Sequence, residues 1–314
     1  MSYPHYSVLL EEILHAFSDK HIRTFVDGTL GAGGHAEAIL QAHPEIELYI
    51  GIDQDPDALK IAAERLAPWK DKLALCPGNF AQMDSFLQLR EVKSVDGILL
   101  DLGVSSMQFD RAEKGFSFMR DGPLDMRMDP QAPLTAAEIV NTWSEQDLGR
   151  LFREYAEEKK WRQAARTIVS ARSHGNIETT LQLVEVLRAV FPEEPVWKRK
   201  KKIHPMTLIF QGLRICVNSE LEVLSRVLPK AIAHLARGGR LAVISFHSLE
   251  DRIVKNILRF AADDKYDTSG LGGLFRDKIP EVELVTRKPL CPSEAEMEKN
   301  PRSRSAKLRI VEKV

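Results

Sequence analysis

Cysteine is scarce in this chain, with three in 314 residues. Cys76, Cys216 and Cys291 lie far apart and are odd in number, which excludes a disulfide framework. No C-x-x-C pair or His/Cys cluster has zinc spacing, so no metal is expected. Net charge is almost nil: 44 Lys+Arg offset 45 Asp+Glu to leave −1. A uniformly basic nucleic-acid binder is thereby excluded, and any polyanionic partner must meet a local patch. No apolar run approaches the ~18 residues of a membrane span. Met1-Ser2-Tyr3-Pro4-His5 lacks the basic-then-apolar layout of a signal peptide. A soluble, cytoplasmic protein with reduced thiols is expected. Hydrophobic residues at 44% are ample for a packed core, and 28% charged residues argue against wholesale disorder.

The most telling segment runs from Asp27 through Gly28-Thr29-Leu30-Gly31-Ala32-Gly33-Gly34-His35, followed some twenty residues later by Asp53. Glycines let backbone approach a ligand and adopt positive φ. The helix that follows offers unpaired N–H groups to a negative group. An acid at the tip of the next strand is placed to accept from ribose hydroxyls. The pattern suits a dinucleotide as well as S-adenosylmethionine, whose carboxylate can replace a phosphate.

The first third alternates strand and helix. Strands are predicted at Phe25-Val26, Leu48–Ile52, Leu73–Cys76 and Gly97–Leu100, with a helix over Asp57–Leu66. Such alternation builds a parallel sheet covered on both faces, with ligands beyond the carboxyl ends of the strands. Asp27, Asp53 and Asp101 should then converge on one crevice. The next strong strand, Arg240–Ser245, comes more than a hundred residues later, far beyond what a crossover needs. A helical subdomain must therefore be inserted. Ser144-Glu145-Gln146-Asp147 is a capping box, Leu181–Arg188 a helix ending before Pro192, and Pro205 opens a long helix. Gly238-Gly239 is expected to stop the chain before the fifth strand. The division is 1–109 with 218–314 as the sheet domain and 110–217 as the insert.

Three further stretches bear on chemistry. Gly115 to Asp129 holds Phe, Met and Arg in a loop; Phe116 and Phe118 either pin the insert to the sheet or wall a base-stacking pocket. Ser245 to Arg252 joins the fifth strand to a helix; Ser248 with Asp251 makes a capping box, and His247 leaves the strand at the ligand edge. Lys198–Lys202 and the group Arg302, Arg304, Lys307, Arg309 are basic clusters in a neutral chain, an electrostatic footprint for phosphates.

Taken together, Val8–Glu12, Asp27–His35, Asp53–Pro56, Asp96–Ser106, Gly115–Asp129, Ile244–Arg252 and Asn300–Arg302 resemble the RsmH (MraW) family of 16S ribosomal RNA cytosine-N4 methyltransferases. The resemblance implies an α/β class I (Rossmann-like) methyltransferase sheet with a helical RNA-recognition insert. It implies S-adenosylmethionine as cofactor, held by Gly33, Gly34, His35, Asp53, Phe80, Asp101 and Gln108. The substrate implied is a cytidine in the decoding region of 16S rRNA, within the small ribosomal subunit. Leu208, where the family pattern has arginine, and Ala156, where it has glycine, depart from it. No Asp/Ser-Pro-Pro-aromatic motif is present, so Asp101, Asp125 and His247 all stand as candidates to orient the amine or receive its proton. A carbon-5 methyltransferase would need a nucleophilic cysteine. A nicotinamide-dependent oxidoreductase and a non-catalytic RNA-binding assembly factor are the alternatives of other classes.

Overall fold

The structure, a computed structural model, describes residues 7–104, 109, 111–192, 205–266 and 276–314. The chain forms two compact units, Met1–Gly103 with Leu221–Val314, and Val104–Glu220. Relative to the division expected from the sequence, the junctions fall six residues earlier and three residues later.

The first unit carries a seven-stranded sheet. Its elements are α1 (Leu10–Phe17), β1 (Thr24–Asp27), α2 (Gly34–Ala42), β2 (Leu48–Asp53), α3 (Pro56–Arg65), β3 (Leu73–Pro77), α4 (Met83–Leu89) and β4 (Val95–Asp101), then, in its later segment, α10 (Glu220–His234) and a separate two-stranded sheet of β6 (Lys265–Tyr266) and β7 (Arg276–Asp277). The order across the sheet is β3-β2-β1-β4, continued by β5 (Leu235–Ser245), β9 (Lys307–Lys313) and β8 (Val282–Leu284). The first five strands are parallel; β9 runs antiparallel to both β5 and β8. Strands buried on both faces should read as continuous apolar runs. Ile98-Leu99-Leu100 and Leu241–Ile244 do so, each residue fully enclosed. Every such side chain contributes about 2 kcal/mol, so a charge at Leu99 would break the unit.

Two sequence expectations are corrected here. Gly238-Gly239 does not end the chain before β5. The strand begins at Leu235, paired with Val95, and Gly238, at φ 79°, lies where the register shifts before Gly97 meets Arg240. The second correction concerns Lys307 and Arg309. They belong to β9, and both bind Asp251, at 3.1 and 2.8 Å. The alternation Leu308, Ile310 had announced that strand, but the cations around it masked the pattern.

The second unit is helical, with α5 (Ala136–Thr142), α6 (Glu145–Glu154), α7 (Trp161–Arg172), α8 (Thr180–Arg188) and α9 (Pro205–Val217). Ser144 caps α6 by accepting from the Asp147 N–H, as its sequence predicts. Leu148, Leu151 and Phe152 of α6 pack with Leu183, Ile209 and Leu213 in a core of its own. Phe116 is buried in that core and Phe118 sets its ring edge-on to Phe210, 5.2 Å between centroids. Phe116 therefore presents no stacking face to a base. Ala156 is fully buried against α9, where a Cβ on Gly212 would lie 3.0 Å from the Ala156 methyl. Glycine at 212 makes the room that alanine at 156 requires. Leu208 is a partly buried side chain packed on the same core.

Candidate active site

Three neighbouring strands, β2, β1 and β4, end on Asp53, Asp27 and Asp101. Asp27 is 1% exposed. One oxygen accepts the Thr29 N–H at 3.1 Å and the other the Tyr49 hydroxyl at 3.1 Å. Burial pushes this carboxyl up to about 7; the two donors pull it back and the Asp53 charge adds to the rise. Thr29 passes the order on, its hydroxyl oxygen accepting the Asp101 N–H at 2.6 Å. Asp53 accepts from the N–H groups of Gly31 at 2.7 Å and Asp55 at 2.8 Å, which ties the glycine loop to the second strand. Burial raises its pKa too, against the N–H groups of Asp55, Gly31 and Gln54, and of the carboxylate's roughly four acceptor sites one is left for a hydroxyl donor.

The loop turns at Gly31 and Gly33, at φ 54° and 76°. Position 33 admits only glycine comfortably: the backbone is left-handed and a Cβ would come within 3.2 Å of the Leu66 side chain. Gly33 is also the N-cap of α2 and supplies no side-chain acceptor. The first N–H groups of the helix, from Gly34 and His35 onward, are thus left uncapped by any side chain, ready for an anionic ligand.

The imidazole of His35 is buried. Its Nε2 lies 2.9 Å from the Val8 carbonyl oxygen, which can only accept, so Nε2 carries the proton. Burial pushes the pKa down to about 4, against the Val8 bond, so the ring is neutral near pH 7. Nδ1 then faces Asp101 Oδ2 as a bare lone pair at 3.7 Å.

Asp101 is the least satisfied acid of the group. Its side chain is 26% exposed, yet Oδ1 is closed off and has no hydrogen-bond partner among the described residues. Burial, then the Asp27 and Glu250 charges, raise its pKa well above the carboxylate range. Phe80 opens a short turn after β3, capped by Asn79, whose amide donates to Gln54 beside Asp53 at 3.0 Å.

Gln108 and the run Lys198–Lys202 lie outside the described residues. His247, not Ser248, caps α11 (Ser248–Ala262): its Nδ1 accepts the Glu250 N–H at 3.4 Å, and Glu250 reaches back to the N–H groups of Phe246 and His247. Ser248 fails as the cap because His247, one residue earlier, already holds the extended backbone of that position. Asp125 belongs to the second unit, where Arg127 grips both its oxygens at 2.8 Å. Burial alone would raise the Asp125 carboxyl, but Arg127 holds it below the usual range. Sequence reasoning missed Thr29 and Tyr49 as positioning residues. Tyr49 carried a signal, since a tyrosine in a buried strand needs a partner for its hydroxyl.

A glycine loop and three acidic tips on a sheet of this order, with β9 reversed between β5 and β8, define a class I methyltransferase. The fit to S-adenosylmethionine rests on the uncapped α2 N-terminus, the remaining acceptor site of Asp53 and the unpartnered Asp101 oxygen. The chain belongs to the MraW methylase family, whose profile matches residues 2–314. It is 63% identical over 313 residues to a ribosomal RNA small subunit methyltransferase H from Protochlamydia amoebophila, covering 99% of this chain and 98% of that one. A protein of the same name from Geobacter sulfurreducens is 46% identical over 314 residues, with 100% of both covered. Among solved structures, a putative rRNA methylase from Clostridium thermocellum covers 99% of this chain and 100% of its own at 12% identity and a TM-score of 0.44. Family membership sets aside the nicotinamide-dependent reading. Among the described residues no helix is long and apolar enough to cross a membrane.

Proposed function

We propose that this methyltransferase carries a methyl group from S-adenosylmethionine to N4 of a cytidine in the decoding region of 16S rRNA of the small ribosomal subunit. Support comes from the family and from relatives named for small-subunit ribosomal RNA. The observation that carries the chemistry is the unpartnered, buried Oδ1 of Asp101.

S-adenosylmethionine, when bound, supplies an electrophilic methyl and a positive charge. The N–H groups at Gly34 and His35 would hold its carboxylate, Asp53 its ribose hydroxyls, and Phe80 an apolar side of the nucleoside. Asp101 has the task that the amine sets. Cytosine N4 is a poor nucleophile because its lone pair is delocalised into the ring. A carboxylate accepting an N4–H bond returns electron density to nitrogen and takes up the proton. An acid whose proton affinity is raised by burial and by Asp27 is a strong acceptor once a cation in the crevice keeps it ionised. Thr29 fixes its backbone, and neutral His35 adds no competing charge.

Cys76 does not favour attack on the ring. Cys76 is buried, its Sγ directed to the Ala74 carbonyl, and burial pushes the thiol up, opposite to an activated nucleophile. The test is to incubate the protein with small-subunit RNA and labelled methyl donor, then map the modified nucleotide. A methyl group on cytidine N4 in the decoding region is expected; one on a ring carbon or a different RNA overturns the assignment. Asp101→Asn should lower turnover about 100-fold or more while S-adenosylhomocysteine still binds in calorimetry. Wild-type turnover in that variant eliminates the role of Asp101.

A further inference from the structure

Of the four C-terminal basic residues singled out in the sequence, Arg302 and Arg304 are exposed, but the other two are engaged. Lys307 and Arg309 are committed to Asp251, and Arg309 is buried. The unpaired cations of this flank come instead from positions scattered through the chain. Lys255 and Arg259 project from α11, and Arg287 follows β8; none of the three has an ion pair among the described residues. They line one groove together with Arg309, which Asp251 holds, and no carboxylate is among the lining residues. Thr286 lies between them, and its oxygen already accepts the Ile310 N–H at 2.9 Å, leaving the hydroxyl proton to donate.

We propose that this groove binds the phosphate backbone of the substrate RNA. Three cations without an ion pair and a hydroxyl donor along one groove, whose only adjoining acid, Asp251, is already held by Arg309 and Lys307, match a run of phosphodiester oxygens and offer nothing to a base edge. In a chain of net charge −1, unpaired cations concentrated in one groove mark where a polyanion is attracted. The groove cannot serve the reacting nucleotide. Lys255 and Arg259 sit 7 and 11 residues along α11 from Ser248, about 10 and 16 Å at the rise of a helix. It therefore grips RNA flanking the target and sets register without reading sequence.

The inference rests on RNA being the substrate, so the test separates the two. Wild-type protein and the triple variant K255A/R259A/R287A are titrated with naked small-subunit RNA across a salt series, with S-adenosylhomocysteine affinity measured alongside. Removing three phosphate contacts should lower the slope of log affinity against log salt by about 2, at ~0.7 per contact on a single strand. That amounts to about 100-fold weaker binding at 0.1 M salt, converging towards wild type at 1 M. S-adenosylhomocysteine affinity should not change, and K255R/R259K/R287K should keep the wild-type slope. An unchanged slope in the triple alanine variant overturns the groove while leaving the function intact. A loss confined to assembled subunits, absent with naked RNA, also overturns it and gives the groove to a ribosomal protein. If wild-type protein neither binds nor methylates this RNA, the functional reading itself fails.

Discussion

At the carboxyl ends of β1, β2 and β4, Asp27, Asp53 and Asp101 meet no lysine or arginine among the described residues, and burial pushes all three up. Along β9, Asp251 binds Arg309 and Lys307, while Glu312 binds Lys20 and Arg240 at 2.8 and 2.9 Å. Burial would raise these two as well, yet their cations hold both below the usual range. The same unit thus keeps ion-paired acids on its β9 flank and acids without a cation at the carboxyl ends of its central strands. Under the proposed function, the acids left without a cation are those that a cationic methyl donor would meet. Asp125, gripped by Arg127, belongs with the ion-paired kind.

The largest effect expected from this contrast is on stability against pH. Asp27 has its carboxyl at about 7 in the folded protein and near 3.8 when unfolded. Between those values the folded chain holds a proton that the unfolded chain has lost, so stability falls as pH rises. The full difference is on the order of 4 kcal/mol, present below pH 4 and lost by pH 7. Urea unfolding of the wild type and Asp27→Asn from pH 4.5 to 7.5 should show the wild type declining more steeply. Parallel profiles would mean that Asp27 ionises freely, and the contrast between the two groups of acids would collapse.

On the β9 flank the expectation reverses. Asp251→Ala leaves the buried Arg309 without its partner and should cost about 3 kcal/mol, read as a lower denaturation midpoint. Replacing Arg309 by leucine in the same chain should recover part of that loss, since an apolar pair needs no compensation. A neutral single variant would show that the Asp251 cluster is dispensable.

Much of this contrast could be read from the chain before its fold was known. Asp27, Asp53 and Asp101 each follow a short apolar run, so their places at strand tips came from local pattern. The glycine loop was legible for the same reason. Partnership was not. Tyr49 reaches Asp27 across neighbouring strands, and Arg309 finds Asp251 from 58 residues away. Lys255, Arg259 and Arg287 form a groove only because β8 and β9 return beside α11. Clusters in sequence misled in the opposite direction: Lys307 and Arg309 look like a free basic patch until β9 sets them against Asp251. Local spacing reports the element; which charges cancel depends on contacts that spacing does not contain.

The smallest effect tests the bond beneath Asp27. Tyr49→Phe deletes one hydroxyl inside a stacked pair, Phe25 on Tyr49 with centroids 5.3 Å apart, and leaves the ring packing intact. The loss should be about 1 kcal/mol where Asp27 is protonated and about 2 where it is ionised, because a bond to a charged acceptor is the stronger. The cost of the substitution should therefore be greater at pH 8 than at pH 5, with the change centred near 7. Removing a donor to the charged form also moves the Asp27 carboxyl higher, so the variant should keep losing stability above the pH at which the wild type levels off. A cost independent of pH would show that the hydroxyl does not sense the charge on Asp27, and the tyrosine would then be a packing residue alone.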